Sequence, residues 1–131
     1  MTDYSETVKK IKFNKDGVVP AIAQDIDNDE VLMLAYMNEE SLKKTLEEKK
    51  ACYYSRSRQR IWLKGESSGN FQEVKKILID CDEDTILLKV KQHRGACHKG
   101  YYSCFFREIK DNRDFEIIAE KVFNEKEIYK K

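Results

Sequence analysis

Asp80-Cys81-Asp82-Glu83-Asp84 places four carboxylates and a thiol in consecutive positions. In an extended segment side chains alternate, so Asp80, Asp82 and Asp84 are expected on one face and Cys81 on the other. Aligned carboxylates repel one another unless a cation or water screens them, and a hard ion such as Mg2+ prefers such oxygens. A solvent-exposed acidic turn is the plainer alternative. An EF-hand loop is excluded, because its sixth position would be Thr85 instead of Gly and its last Lys91 instead of Glu.

Cys97 and Cys104 bracket a Gly-containing loop that also carries His98. Their spacing lacks the Cys-x-x-Cys pairs of a closed structural zinc site, and buried unreactive thiols are the alternative. Like-charge repulsion makes carboxylate neighbours unfavourable to a thiolate, so a free thiolate nucleophile is not expected at Cys81; a metal reverses that logic by binding the thiolate directly. Three thiolates on one Zn2+ leave a fourth position for water, as catalytic sites do, and bound Zn2+ lowers the pKa of that water to about 7. Cys52, between Ala51 and Tyr53, reads as a buried thiol without chemistry. His93 and His98 are the only histidines. Adjacency to Cys97 makes His98 the better candidate for general acid–base work.

Arg56, Arg58 and Lys64, with Gly65, Ser67, Ser68 and Gly69, have the composition of an anion-binding loop. Guanidinium forks match phosphate oxygens, and glycine lets backbone N–H groups approach. An exposed hairpin loop would look similar. Tyr53, Tyr54 and Trp62 nearby would also serve as stacking platforms for RNA.

These residues need a scaffold, and 131 residues suffice for one domain with a real core. Lys and Arg total 25 against 24 Asp and Glu, a net charge of +1, which argues against a nucleic-acid backbone or an anionic membrane as the main partner. The N-terminus lacks the pattern of a signal peptide, and the longest apolar run, Val31 to Met37, is too short to cross a membrane. A cytoplasmic protein with reduced cysteines is expected.

Val18 to Ile26 reads as a strand, with Pro20 placing it at a sheet edge. Asp27 to Glu30 is turn chemistry, and Val31 to Met37 returns as the second strand of a hairpin. Asn38 is an N-cap, followed by Glu39 and Glu40 at the positive end of a helix running to about Lys50. Ala51 to Ser55 is a further strand, and 56–70 reads as loop. Gln72 to Ile79 and Thr85 to Gln92 are strands, the second with Ile86, Leu88 and Val90 on one face and Lys89 and Lys91 on the other. A loop from His93 to Gly100 leads to a strand at Tyr101 to Ile109, then a short strand at Phe115 to Ile118 and a terminal helix. Arg107 to Lys131 holds seven basic and seven acidic residues, the mark of a solvated face.

The blocks Trp62-Leu63-Lys64-Gly65-Glu66-Ser67-Ser68-Gly69-Asn70, Asp80-Cys81-Asp82-Glu83-Asp84, Ala96-Cys97-His98-Lys99-Gly100 and Ser103-Cys104-Phe105 resemble, in order and spacing, those of phosphoribosyl-AMP cyclohydrolases. Val19-Pro20-Ala21-Ile22, Met33 to Asn38 and Tyr54-Ser55-Arg56-Ser57-Arg58 extend the resemblance over roughly residues 13 to 107. It implies hydrolysis of the N1–C6 bond of the adenine ring of phosphoribosyl-AMP, in histidine biosynthesis. It also implies Zn2+ on Cys81, Cys97 and Cys104, Mg2+ on Asp80, Asp82 and Asp84, and a homodimer whose zinc cysteines come from both subunits. Substrate binding is expected at Arg56, Arg58, Trp62, Lys64, Gly65, Glu66, Ser67 and Ser68, with His98 as the proton carrier. The chain departs from the pattern at Asn70, where many members carry His. The residues after Phe106 are too few for the pyrophosphohydrolase domain fused to some relatives, so a single domain spanning 1–131 is expected. Zinc-dependent base deaminases share the chemistry, but their His-x-Glu and Cys-x-x-Cys signature is absent.

The expected architecture is α+β and predominantly β: a mixed sheet folded on itself, with one or two flanking helices, in an intertwined homodimer. The competing functions are a zinc module that binds RNA through the Arg/aromatic loop and a thiol-based metal sensor. Near-neutral charge and three aligned carboxylates count against the first, and the sensor has no need of the Gly65 to Asn70 loop.

Overall fold

The structure, a computed structural model, describes residues 3–111 and 113–128. A one-and-a-half-turn helix, α1 (Ser5–Lys9), precedes the hairpin β1 (Val19–Asp25) and β2 (Val31–Met37). Helix α2 (Glu39–Glu48) follows, then β3 (Cys52–Ser55), β4 (Arg60–Leu63), β5 (Gln72–Ile79) and β6 (Ile86–Gln92). The chain ends in the hairpin β7 (Arg107–Ile109) and β8 (Phe115–Ile117) and the short helix α3 (Glu125–Ile128).

Four strands form a mixed sheet in the order β2-β1-β6-β5, in which β1 and β6 run parallel and the other pairs antiparallel. This mostly β arrangement with few helices agrees with the expected α+β class. Ile86, Leu88 and Val90 of β6 and Ala21 and Ala23 of β1 are buried, together with Leu32, Met33, Met37, Leu42 and Tyr53. On the other face of β6, Lys89 reaches Asp29 at 3.1 Å and Lys91 reaches Asp27 at 2.9 Å, so the alternation read from the sequence holds.

The start of α2 is as expected. Asn38 Oδ1 accepts from the Ser41 N–H at 2.8 Å and Ser41 Oγ accepts from the Asn38 N–H at 2.9 Å, a reciprocal cap. The helix stops at Glu48, short of Lys50, because Lys49 turns left-handed with φ 62°.

Several expectations are corrected. Strand β1 is interior, flanked by β2 and β6, not an edge. Pro20 is tolerated because the parallel ladder to β6 begins one residue later, at Ala21↔Ile86. The segment 56–70 is not all loop: β4 pairs with β3 from Cys52↔Leu63 to Ser55↔Arg60. Tyr101 to Ile109 is not one strand; only Arg107–Ile109 is, and the preceding residues bend. Tyr101 instead stacks on Phe106 with ring centroids 3.7 Å apart, which folds that stretch back on itself.

The site-bearing segments lie at the two ends of the sheet. The β5–β6 ladder runs from Ile79↔Ile86 to Gln72↔Gln92. At about 3.3 Å per residue its ends are roughly 20 Å apart. The acidic turn lies beyond the first end, the Cys97 loop beyond the second.

Candidate active site

An open cleft of about 430 Å3 is lined by Arg58, Trp62, Lys64, Gly65, Glu66, Ser67, Ser68, His98 and Cys104, among others. Nine of the residues expected to act thus meet in one place. Strand β4 explains half of this wall. With side chains alternating along an extended strand, Arg60, Trp62 and Lys64 share a face. Arg60 also lines the cleft and pairs with Glu66 at 3.7 Å. Sequence reasoning left Arg60 out of the site because 56–70 read as loop; the period-two spacing Arg60, Trp62, Lys64 was the available signal.

Beyond β4 the chain turns sharply. Gly65 has φ 90°, and a Cβ there would lie 2.6 Å from the backbone of Asn70, so only glycine fits. The Gly69 N–H donates to the Gly65 carbonyl at 2.7 Å, closing a loop that presents Glu66, Ser67 and Ser68. Asn70 is buried, its Oδ1 without a hydrogen-bond partner among the described residues. Trp62 is backed by Tyr53, with centroids 5.2 Å apart, which braces its ring.

The opposite wall is the loop after β6. The Cys97 N–H donates to the Tyr101 carbonyl at 3.1 Å and the Gly100 N–H to the Cys97 carbonyl at 3.0 Å. This tight turn buries Cys97 and leaves His98 exposed at the cleft. Cys104 is tied to the start of β2 through its N–H, which donates to the Leu32 carbonyl at 2.7 Å. Partial burial of the sulfur, then the adjacent Cys97 thiol, push Cys104 up to about 12, partly offset by the Lys64 ammonium. Burial lowers the pKa of Lys64, while the Cys104 and Cys97 thiols act to raise it. Two neighbouring thiols beside one cation form a donor set suited to a soft or borderline metal such as Zn2+, whose binding removes both protons.

Other expected residues lie elsewhere. Arg56 lies over the Tyr36 ring at 4.1 Å and lines an adjoining recess that shares Ser55 and Trp62 with the cleft. Cys81 is exposed in the acidic turn, at the far end of the sheet from Cys97 and Cys104. Oxygens of Asp80, Asp82 and Asp84 all lie within 4.8 Å of one another, the one such cluster of potential metal ligands among the described residues.

Their convergence has a different cause from the alternation expected of an extended strand. Residues 80–84 form a turn, with Glu83 at φ 61°. Asp80 Oδ1 accepts from the N–H groups of Asp84 at 3.0 Å and Thr85 at 3.2 Å. Desolvation opposes ionisation of Asp80, but hydrogen bonds from Asp84, Thr85 and Glu83 hold its pKa below the usual value. Asp84 is raised, chiefly by its side-chain hydrogen bond to Asp80 and further by the charges of Asp80 and Asp82. A cation bound there would relieve the repulsion between these carboxylates.

The family model for phosphoribosyl-AMP cyclohydrolase matches residues 33–106, which contain every one of these side chains. The chain belongs to the phosphoribosyl-AMP cyclohydrolase family. A phosphoribosyl-AMP cyclohydrolase of Chloroherpeton thalassium is 61% identical over 122 residues, covering 92% of this chain and 87% of the relative. One of Chlorobaculum tepidum is 57% identical over 135 residues, covering 100% and 98%. The resemblance drawn from the motifs is therefore borne out, and the family is one of hydrolases. No helix among the described residues is long and apolar enough to cross a membrane.

Proposed function

We propose that this chain hydrolyses the N1–C6 bond of the adenine ring of phosphoribosyl-AMP in histidine biosynthesis, opening it to the formimino-aminoimidazole carboxamide ribonucleotide. The observation that carries the reading is the placement of Cys104 and His98 on the same cleft as Trp62 and the Gly65–Ser68 loop, with Cys97 beside Cys104. One wall thus suits a purine and phosphate; the other suits a metal and a proton carrier.

Trp62, braced by Tyr53, offers its face to the purine ring. Arg58, Arg60, Ser67 and Ser68 surround one phosphate, with Glu66 steadying Arg60. Arg56, in the adjoining recess that shares Trp62 with the cleft, takes the second. Lys64 holds the thiol loop by donating to the Ala96 carbonyl at 2.6 Å, and its charge favours the thiolate form of Cys104. His98 carries a proton to N1 as that nitrogen leaves C6. Holding the two-phosphate substrate at both ends turns binding energy into orientation of C6.

A Zn2+ held by Cys97 and Cys104 would supply an activated water at neutral pH. Its third thiolate would be Cys81 of a second copy, because roughly 20 Å of β-ladder separates Cys81 from the other two within one chain. Asp80, Asp82 and Asp84 share the turn with Cys81, so a homodimer that delivers the thiol delivers a Mg2+ site to the same cleft. The enzyme is cytoplasmic in this account, and its substrate is a small nucleotide, not a nucleic acid.

The test is turnover of phosphoribosyl-AMP followed by absorbance, with zinc content and sedimentation measured on the same sample. Mg2+-dependent ring opening by a dimer holding about one zinc per chain is expected. A zinc-loaded protein without turnover would overturn the assignment.

A further inference from the structure

Gln92 is buried at the end of β6, where its amide nitrogen faces four backbone carbonyls: Asn70 at 3.2 Å, Phe71 at 3.4 Å, His93 at 3.0 Å and Gly95 at 3.2 Å. Carbonyls accept only, so the NH2 must point this way, its two hydrogens shared among them. Oε1 then faces the opposite side and accepts from Gln72 Nε2 at 2.8 Å. Gln72 Oε1 in turn accepts from the Tyr53 hydroxyl at 2.6 Å. The chain of hydrogen bonds has one direction, from a tyrosine fixed in the core to carbonyls at the sheet's end.

Those carbonyls belong to two different segments. Asn70 and Phe71 close the Gly65–Gly69 loop, one wall of the cleft. His93 and Gly95 open the loop that carries Ala96, Cys97 and His98, the other wall. Further bonds cross the same gap: Lys64 Nζ donates to the Ala96 carbonyl at 2.6 Å, Arg94 donates to the Ser68 carbonyl, and the His93 N–H donates to the Phe71 carbonyl at 3.0 Å. Each of those ties one donor to one carbonyl. Gln92 differs in gripping the backbone of both loops at once. A methionine or leucine would fill the space without the desolvation of a buried amide, so packing alone does not explain a glutamine here.

We propose that Gln92 is a positioning residue that sets the spacing between the substrate loop and the thiol loop, resting on the assignment of these two loops as the walls of the active site. Its grip keeps the phosphate-binding wall and the Cys97–His98 wall in register before substrate arrives. Gln72 and Tyr53 act through it, by holding its amide in the one orientation that serves the carbonyls. Reacting groups misplaced by about 1 Å lose on the order of 10²-fold in rate, so loosening this grip is felt in catalysis without contact to substrate.

The test compares wild type with Gln92→Met, which keeps the volume and removes the hydrogen bonds. Thr45→Val serves as a control, since it removes buried bonds to Ser41 and Cys52 on a different element. Hydrogen exchange on the metal-free protein reads the amides of Gly69, Ala96 and Cys97, each hydrogen-bonded within these loops. Gln92→Met is expected to speed exchange at all three selectively, weaken zinc binding in a chelator competition and lower kcat/KM by about 10²-fold. Thr45→Val is expected to lower stability with zinc affinity and kcat/KM unchanged. Should Gln92→Met fail to fold, Gln92→Asn, which keeps the amide and shortens its reach, carries the same expectation. Exchange that is unchanged, or raised equally through β1 and β6, overturns the proposal, as do wild-type zinc affinity and kcat/KM in the variant. Selective loosening in a protein whose wild type neither holds zinc nor turns over would support the grip and sink the active-site assignment instead.

Discussion

Lys64 Nζ lies 2.6 Å from the carbonyl oxygen of Ala96, joining the end of β4 to the loop that carries Cys97. The ammonium is largely withdrawn from water, and the thiols of Cys97 and Cys104 are its charge partners. The wall formed by β4 and the Gly65–Gly69 loop and the thiol-bearing wall therefore share one cation. Lys64→Met should lower zinc affinity and kcat/KM together, because it removes both a tether and the charge that favours thiolate. Chelator competition and steady-state kinetics on one preparation check this; a change in KM alone would place Lys64 on the substrate only.

Cys97→Ser should abolish turnover while the fold survives, since the side chain is small and the loop is held by its backbone bonds to Tyr101 and Gly100. Circular dichroism, zinc content and activity measured side by side decide it. Full activity at native zinc content would remove Cys97 from the reaction.

Asp82→Asn should weaken the dependence on Mg2+, by taking one carboxylate from a cluster whose oxygens lie within 4.8 Å of one another. The turn itself should persist, because its hydrogen bonds run through Asp80, Asp84 and Thr85. A Mg2+ titration of the rate that superimposes on wild type would exclude the acidic turn from the mechanism.

Mixing Cys81→Ser protein with Cys97→Ser protein should recover up to about a quarter of wild-type activity. Random exchange makes half the dimers mixed, and each mixed dimer has one complete site of its two. No recovery after verified subunit exchange would mean that the three cysteines do not come together across two chains.

Gly65→Ala should destabilise the protein by about 1–3 kcal/mol, since the backbone there is left-handed and the added methyl would meet Asn70 at 2.6 Å. Urea denaturation gives the stability and KM the effect on the loop. An unchanged midpoint and KM would show that the loop adapts freely.

Much of this was legible along the chain because it depends on neighbours in sequence. Asn38 and its first turn announce α2, and the alternation of Ile86, Leu88 and Val90 with Lys89 and Lys91 announces β6. The blocks around Trp62, Asp80, Cys97 and Cys104 carry the family in residue types and spacing, which fold and charge leave untouched. Other features resisted for a local reason too: Arg60 to Leu63 is only four residues long and lies within a stretch rich in Arg, Ser and Gly, so β4 looked like part of a loop until β3 supplied its partner.

The sequence by itself determined which chemistry is available: thiols, clustered carboxylates, and an arginine-rich loop with glycines beside a tryptophan. Only the tertiary structure decided which of them meet. Pro20 lies in an interior strand because the parallel ladder to β6 starts one residue later. Asp80, Asp82 and Asp84 converge through a left-handed turn, while Cys81 stands at the opposite end of the sheet from Cys97 and Cys104. Contacts between distant segments depend on strand order and register, which are set by how whole faces bury against one another and not by any local stretch of residues.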